Sequence, residues 1–192
     1  MIVHGYRLAP YRAASKPGQV GHPLHIDPSW QGRGRADNPI LYRALYYSES
    51  TSGAVAESFG DLRSWSEEMF EVPFLDGGRR ALVRLDVDLP DEQRIDLDDA
   101  AVLVARGLRP TEVVGRNRER TRQVAADLFA DGIREIRWWS WWRPEWRNRV
   151  LLAPLTDTTP FAAWTTVTDV EELTLASPAV AAASEMLRRP LP

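Results

Sequence analysis

Apolar and polar residues along this chain follow two different periods. A period near two marks Ile2 to Leu8 (IVHGYRL), Leu41 to Tyr47 (LYRALYY) and Ala81 to Val87 (ALVRLDV), and predicts strands whose side chains alternate between two faces. Ile133 to Trp139, Arg149 to Ala153 and Phe161 to Thr168 are further strand candidates. Helical spacing takes over after Ser50 or Thr51, either of which can cap a helix with Val55, Phe59 and Leu62 on one face. Asp98 to Arg106 reads as a short helix ended by Gly107 and Pro110. Asn117 to Ala130 is a longer one, with Thr121, Val124, Ala125 and Leu128 along one side and Gly132 as its stop. Pro178 to Arg188 predicts a terminal helix. Residues 10–39 carry Pro, Gly, His and Asp without periodicity, and so long a loop is usually functional or disordered. No repeat or linker divides the chain, so the interleaved elements predict one α+β domain over residues 1–192, with mixed sheets and flanking helices.

Composition narrows the classes of function. The 192 residues are 44% apolar and 27% charged, an ordinary balance for a domain with a real core. The absence of cysteine removes disulfides, thiolate chemistry and zinc-thiolate sites, and fits a reducing cytoplasm. MIVHGYRLAP lacks the basic and apolar regions of a signal peptide, and no run approaches the roughly 18 apolar residues of a membrane span. A cytoplasmic protein without a membrane partner is therefore expected. The net charge is -3 and the basic residues are scattered, so no stripe exists for phosphate neutralisation and no stable nucleic-acid partner is expected. Of the 24 basic residues only Lys16 is lysine, a bias that genome base composition explains without function.

Three stretches could carry chemistry. In LYYSESTSGAVAESFG, Glu57 lies off the Val55 and Phe59 direction, beside Gly53, Ala54 and Asp61, and helix arithmetic alone makes it a solvated acid. The small Gly53 and Ala54, and the strand ending in Tyr46 and Tyr47, equally leave room for a ligand. In GRGRADNP, residues 32–39, two arginines between glycines could clamp a phosphate through bidentate hydrogen bonds. An arginine-rich chain also puts arginines in loops by chance, and the same holds for Arg7 on the first strand. WWSWWRPEWRN, residues 138–148, holds five of the eight tryptophans. Strand alternation would set Trp139 and Trp141 on one face and Trp138, Ser140 and Trp142 on the other. Core packing or a subunit contact accounts for most of these indoles, while some could wall a ring-bearing ligand beside Ser140. Five exposed indoles would exceed the apolar patch a monomer tolerates, so at least three are expected to be largely buried. His22 and His25 have a spacing that metals accept, but no Cys or acid cluster completes a site, and no metal is expected. There is no G-x-S-x-G elbow, P-loop or G-x-G-x-x-G, so hydrolase triads, nucleotide kinases and Rossmann enzymes lose their main support.

Taken together, in order and in spacing, these stretches resemble the RES domain, a bacterial family named for its Arg, Glu and Ser. The resemblance runs over roughly residues 2–153. It starts with Tyr6 and Arg7 at the end of the first strand and continues with Gly34 and Arg35 in GRADNP. Tyr46 then stands eleven residues before Glu57, and TRQVAADLFADG from Thr121 matches a Thr-Arg helix ending in Gly. Ser140 precedes PEWRN, with Asn148 eight residues beyond it. Three positions depart from the pattern: Leu8 and Ala36 replace aromatics, and Trp139 stands where proline usually precedes the serine.

The resemblance implies a fold similar to ADP-ribosylating toxins and an enzyme that consumes NAD. The implied reaction is phosphorolysis or hydrolysis of the nicotinamide–ribose bond, with mono-ADP-ribosyl transfer to a macromolecule as the alternative. NAD enters as the substrate, and no cofactor is implied. Glu57 would stabilise the ribosyl cation, Arg7 and Arg35 would fix the pyrophosphate, and Tyr46 would pack against the nicotinamide or ribose. Ser140 would bond the ribose or orient Glu57, and Thr121 and Asn148 join the substrate-binding set. A small antitoxin that blocks the pocket is implied where such proteins act as toxins, and a homo-oligomer is allowed. A different class of reading, a non-catalytic module that docks a partner through its tryptophans, predicts no NAD turnover and an exposed indole cluster.

Overall fold

The computed structural model describes residues 1–156 and 159–191. Seven strands form one sheet: β1 (Ile2–Tyr11), β2 (Tyr42–Ser48), β3 (Arg79–Asp88), β4 (Arg94–Asp96), β5 (Glu135–Trp139), β6 (Arg147–Pro154) and β7 (Thr165–Glu172). Their order is β4-β5-β6-β2-β1-β3-β7, antiparallel throughout except for the parallel β4/β5 pair. The helices are α1 (Thr51–Phe59), α2 (Ala100–Ala105), α3 (Pro110–Val114), α4 (Arg118–Ala130) and α5 (Pro178–Leu187). This is the mixed α+β architecture with flanking helices that the alternating patterns predict.

The sheet is nearly cut in two. β1 runs alongside β3 over its whole length but meets β2 at a single register pair, Tyr6 opposite Ser48. The two halves, β4-β5-β6-β2 and β1-β3-β7, therefore bend apart and face each other. Leu45, Tyr47 and Leu151 from one half pack with Ala9, Val83, Leu85 and Val87 from the other. The outer face of the first half, through Ala44, Ile136, Trp138 and Val150, takes the apolar side of α4 (Val124, Ala125, Leu128), together with Leu103 and Val113 from α2 and α3. The outer face of the second half, near Leu82, takes Val55 and Phe59 of α1 and Ala179, Val180 and Ala183 of α5. Each layer buries the apolar face its periodicity offers, the condition for a layered domain.

Several boundaries differ from expectation for local reasons. α1 ends at Gly60, so Leu62 leaves the helix face shared by Val55 and Phe59 and is exposed. Pro110 starts α3 instead of stopping the preceding helix, because its missing N–H costs nothing in a first turn. β4 is a three-residue strand, too short to show a period. The last strand begins at Thr165, and Phe161 is buried in the turn before it.

Candidate active site

The junction between the half-sheets organises a cleft of about 380 Å³. Register places Trp138, Asn148, Ser48 and Tyr6 directly opposite one another across β5, β6, β2 and β1. Residues paired in this way point to the same face, so the four side chains form a row along the cleft, and all four line it. α1 is set over this row by its cap, Ser50 Oγ accepting from the Gly53 amide at 3.1 Å. A methyl group at Gly53 would meet Ser48 Oγ at 2.5 Å, so the small residue serves the close approach of helix to strand. Ala54, one residue on, does line the cleft.

Glu57 hangs from this helix toward the row. Its Oε1 accepts from Ser140 Oγ at 2.6 Å and from Asn148 Nδ2 at 2.6 Å. Ser140 is 2% exposed and its Oγ accepts from the Trp142 amide at 3.1 Å, so it holds Glu57 from behind the cleft wall. Both donors are neutral, so they fix the carboxylate without cancelling its charge. The remaining oxygen, Oε2, takes no hydrogen bond among the described residues, and Glu57 borders the cleft. Glu57 is exposed, as helix arithmetic expects, and is anchored as well.

Arg7 follows Tyr6 on β1 and lines the same cleft. It is 8% exposed, and its Nε and Nη1 are buried without a hydrogen-bond partner. Burial, with repulsion from Arg80, pushes the Arg7 pKa down to about 10, which still leaves it charged at neutral pH. Asn148 Oδ1 is also buried without a partner. Buried polar atoms in proteins are nearly always paired, yet Arg7 and Asn148, which both line the cavity, each leave buried polar atoms bare.

The glycine-arginine loop forms the facing wall, and a residue the sequence patterns do not single out builds it. The buried Asp37 carboxylate accepts the amides of Gly32, Arg33 and Gly34 through Oδ2 at 2.8, 3.0 and 2.6 Å. Its Oδ1 accepts from Tyr46 Oη at 2.8 Å, and the Ala36 amide donates to the same hydroxyl. Gly34 packs so closely on Tyr46 Oη and Asp37 that any Cβ there would collide. Burial, reinforced by Asp37, raises the Tyr46 pKa well above the phenol range, so the hydroxyl stays a donor. Arg35 Nη1 then donates to the carbonyls of Val113 at 2.6 Å and Gly115 at 3.1 Å. Burial and the neighbouring Arg118 lower the Arg35 pKa to about 10, while Glu57 and Tyr46 pull it upward.

The family follows from direct comparison. The family model for the RES domain matches residues 9–175. The chain belongs to the RES domain family. No curated protein matches the sequence. Among solved structures, a chain of the M.tuberculosis MbcT-MbcA toxin-antitoxin complex superposes with a TM-score of 0.63 at 16% identity, covering 98% of this chain and 90% of that one. At that identity the likeness is one of fold.

In this RES domain Arg7, Arg35, Tyr46, Glu57 and Asn148 line one cleft, with Ser140 directly behind Glu57. Thr121 does not reach it. Its hydroxyl donates to the Arg35 carbonyl at 2.9 Å from the far side of the loop, so it supports the wall instead of touching a ligand. Ala36, at a departure from the family pattern, is buried against the helical core, whereas Leu8 lines the cleft. Of the five clustered tryptophans, Trp138 and Trp146 are buried, Trp139 and Trp142 are mostly covered and only Trp141, 54% exposed, stands out, so at least three are largely buried as expected. The alternation assumed for them stops because β5 ends at Trp139. Arg118, which also lines the cleft, carries no sequence pattern. The turn sequence Asp37-Asn38-Pro39 was the available signal for Asp37.

Proposed function

We propose that this RES domain consumes NAD by cleaving the bond between nicotinamide and ribose. The observation that carries the reading is the charge pattern of the cleft: among the described residues a single lining carboxylate, Glu57, held by neutral donors, shares it with lining arginines of which one has bare buried nitrogens. NAD has the complementary pattern, a cationic nicotinamide-ribose end and a pyrophosphate. As the glycosidic bond breaks, its electron pair passes to the ring nitrogen and nicotinamide leaves neutral. Positive charge then spreads over the ribose C1′ and ring oxygen, where Glu57 stabilises it as it develops. The neutral leaving group needs no strong general acid. Phosphate or water attacks C1′, and with water one proton is released. Arg7 and Arg35 hold the pyrophosphate in ground and transition states alike, and Asn148 Oδ1 accepts from a ribose hydroxyl.

The same reading makes the protein the toxin of a toxin-antitoxin pair, as the complex of the structural neighbour suggests, with a small antitoxin as partner. Incubation with NAD, with and without phosphate, followed by product identification tests it. Nicotinamide with ADP-ribose indicates hydrolysis, and nicotinamide with a phosphorylated ADP-ribose indicates phosphorolysis. ADP-ribose attached to a macromolecule indicates transfer. No nicotinamide release under any condition would sink the reading.

A further inference from the structure

Trp141 has no part in the chemistry above, yet it borders the cleft with 54% of its surface exposed. The Arg116 guanidinium lies 5.0 Å from the centre of its ring. Arg116 sits in the turn between α3 and α4, and that turn is fixed to the cleft because Gly115 and Val113 accept from Arg35. Two residues on, Arg118 lines the cleft as well. Trp141 itself follows Ser140, whose bond to Glu57 fixes the chain there. An indole backed by one guanidinium is thus held at the rim of a cavity that a second, Arg118, also lines.

We propose that Trp141 and Arg116 form a stacking platform for the adenine ring of a dinucleotide, an inference that rests on the reading of the cleft as an NAD site. Bases stack on indole faces and on guanidinium planes, and the contact is sequence-tolerant because every base has a π-face. Electrostatics decides which ring of NAD it takes. The nicotinamide ring is cationic and is repelled by Arg116 and Arg118, whereas Glu57 attracts it. Adenine is neutral and suits the arginine-rich rim.

The test is calorimetric titration of the protein, Trp141→Ala and Trp141→Phe with two probes. ADP-ribose carries adenine, and nicotinamide mononucleotide does not. The Trp141→Ala protein binds ADP-ribose roughly 10- to 100-fold more weakly, while its affinity for the mononucleotide changes by about twofold or less. Trp141→Phe recovers most of the ADP-ribose affinity. Because the side chain is exposed, the melting temperature of Trp141→Ala stays near that of the parent, which separates lost stacking from misfolding. Unchanged ADP-ribose affinity in Trp141→Ala overturns the proposal, as does no ADP-ribose binding by the parent. Equal weakening for both probes also overturns it, since the indole would then serve the reactive half. Nicotinamide release from NAD is followed in parallel. If release is absent while the adenine-dependent loss persists, the catalytic reading fails and the platform stands.

Discussion

Glu57 and Glu135 are both acids held by hydrogen bonds close to the same strands, and they do opposite work. Glu135 is 0% exposed, and its carboxylate meets Arg94 at 3.2 Å and Arg149 at 3.1 Å, with the Tyr47 hydroxyl donating as well. Its charge is spent on the chain's own cations. Glu57 is fixed as firmly in space, by Ser140 and Asn148, but both partners are neutral and the charge stays available to the cleft. Arg7 and Arg149 repeat the contrast with the opposite sign. Arg149 has Glu49 at 2.7 Å and Glu135, whereas Arg7 keeps two buried nitrogens bare. An ion pair completed within the chain belongs to the fold, and a charge oriented by neutral neighbours is available to something that arrives.

Glu135→Ala leaves the half-buried Arg94 and Arg149 without their shared, fully buried partner, and should lower unfolding stability by about 3 kcal/mol. Denaturant unfolding of Glu135→Ala beside Glu57→Gln checks this, and an equal loss in both would make Glu57 a structural acid too. Arg7→Met should raise the Michaelis constant for NAD roughly 10- to 100-fold, the worth of one charge-assisted hydrogen bond. The same change should raise the melting temperature, because an unpaired buried cation is replaced by an apolar side chain. A lower melting temperature with unchanged kinetics would place Arg7 with the structural arginines. Ser140→Ala removes one of the two bonds on Glu57 Oε1 and should cut turnover about tenfold, with little effect on NAD affinity. Thr121→Val gives the smallest effect. It frees the Arg35 carbonyl behind the loop and should raise the Michaelis constant about two- to tenfold, leaving saturated turnover nearly intact.

Much of this was legible in the sequence where a residue pattern and its physical cause coincide. Alternation in ALVRLDV marks a strand because one face is buried, and Asn117 caps α4 where the helical period begins. β4 was illegible because Arg94–Asp96 is shorter than one readable period and exists through its parallel pairing with β5. α3 was missed because proline both ends and begins helices, and only the chain path decides which. Within the site, Arg7, Arg35, Tyr46, Glu57, Ser140 and Asn148 could be named because their spacing resembles a family. Their division of labour could not. Whether Ser140 meets the ligand or Glu57, and whether Thr121 lines the cleft or braces it, depends on which way side chains point across a sheet split at Tyr6 and Ser48. Asp37 was signalled only by its turn sequence, and Arg118 reaches the cleft through tertiary placement, beyond any local period.

Nicotinamide release at saturating NAD by Glu57→Gln decides whether the free charge of Glu57 meets positive charge developing on ribose. The amide keeps the size of the side chain and removes the charge. Turnover should fall roughly 100- to 1000-fold while the dissociation constant for NAD changes only a few-fold, since the ground-state ribose carries little positive charge. A Glu57→Gln protein that releases nicotinamide at nearly the parent rate would contradict the account.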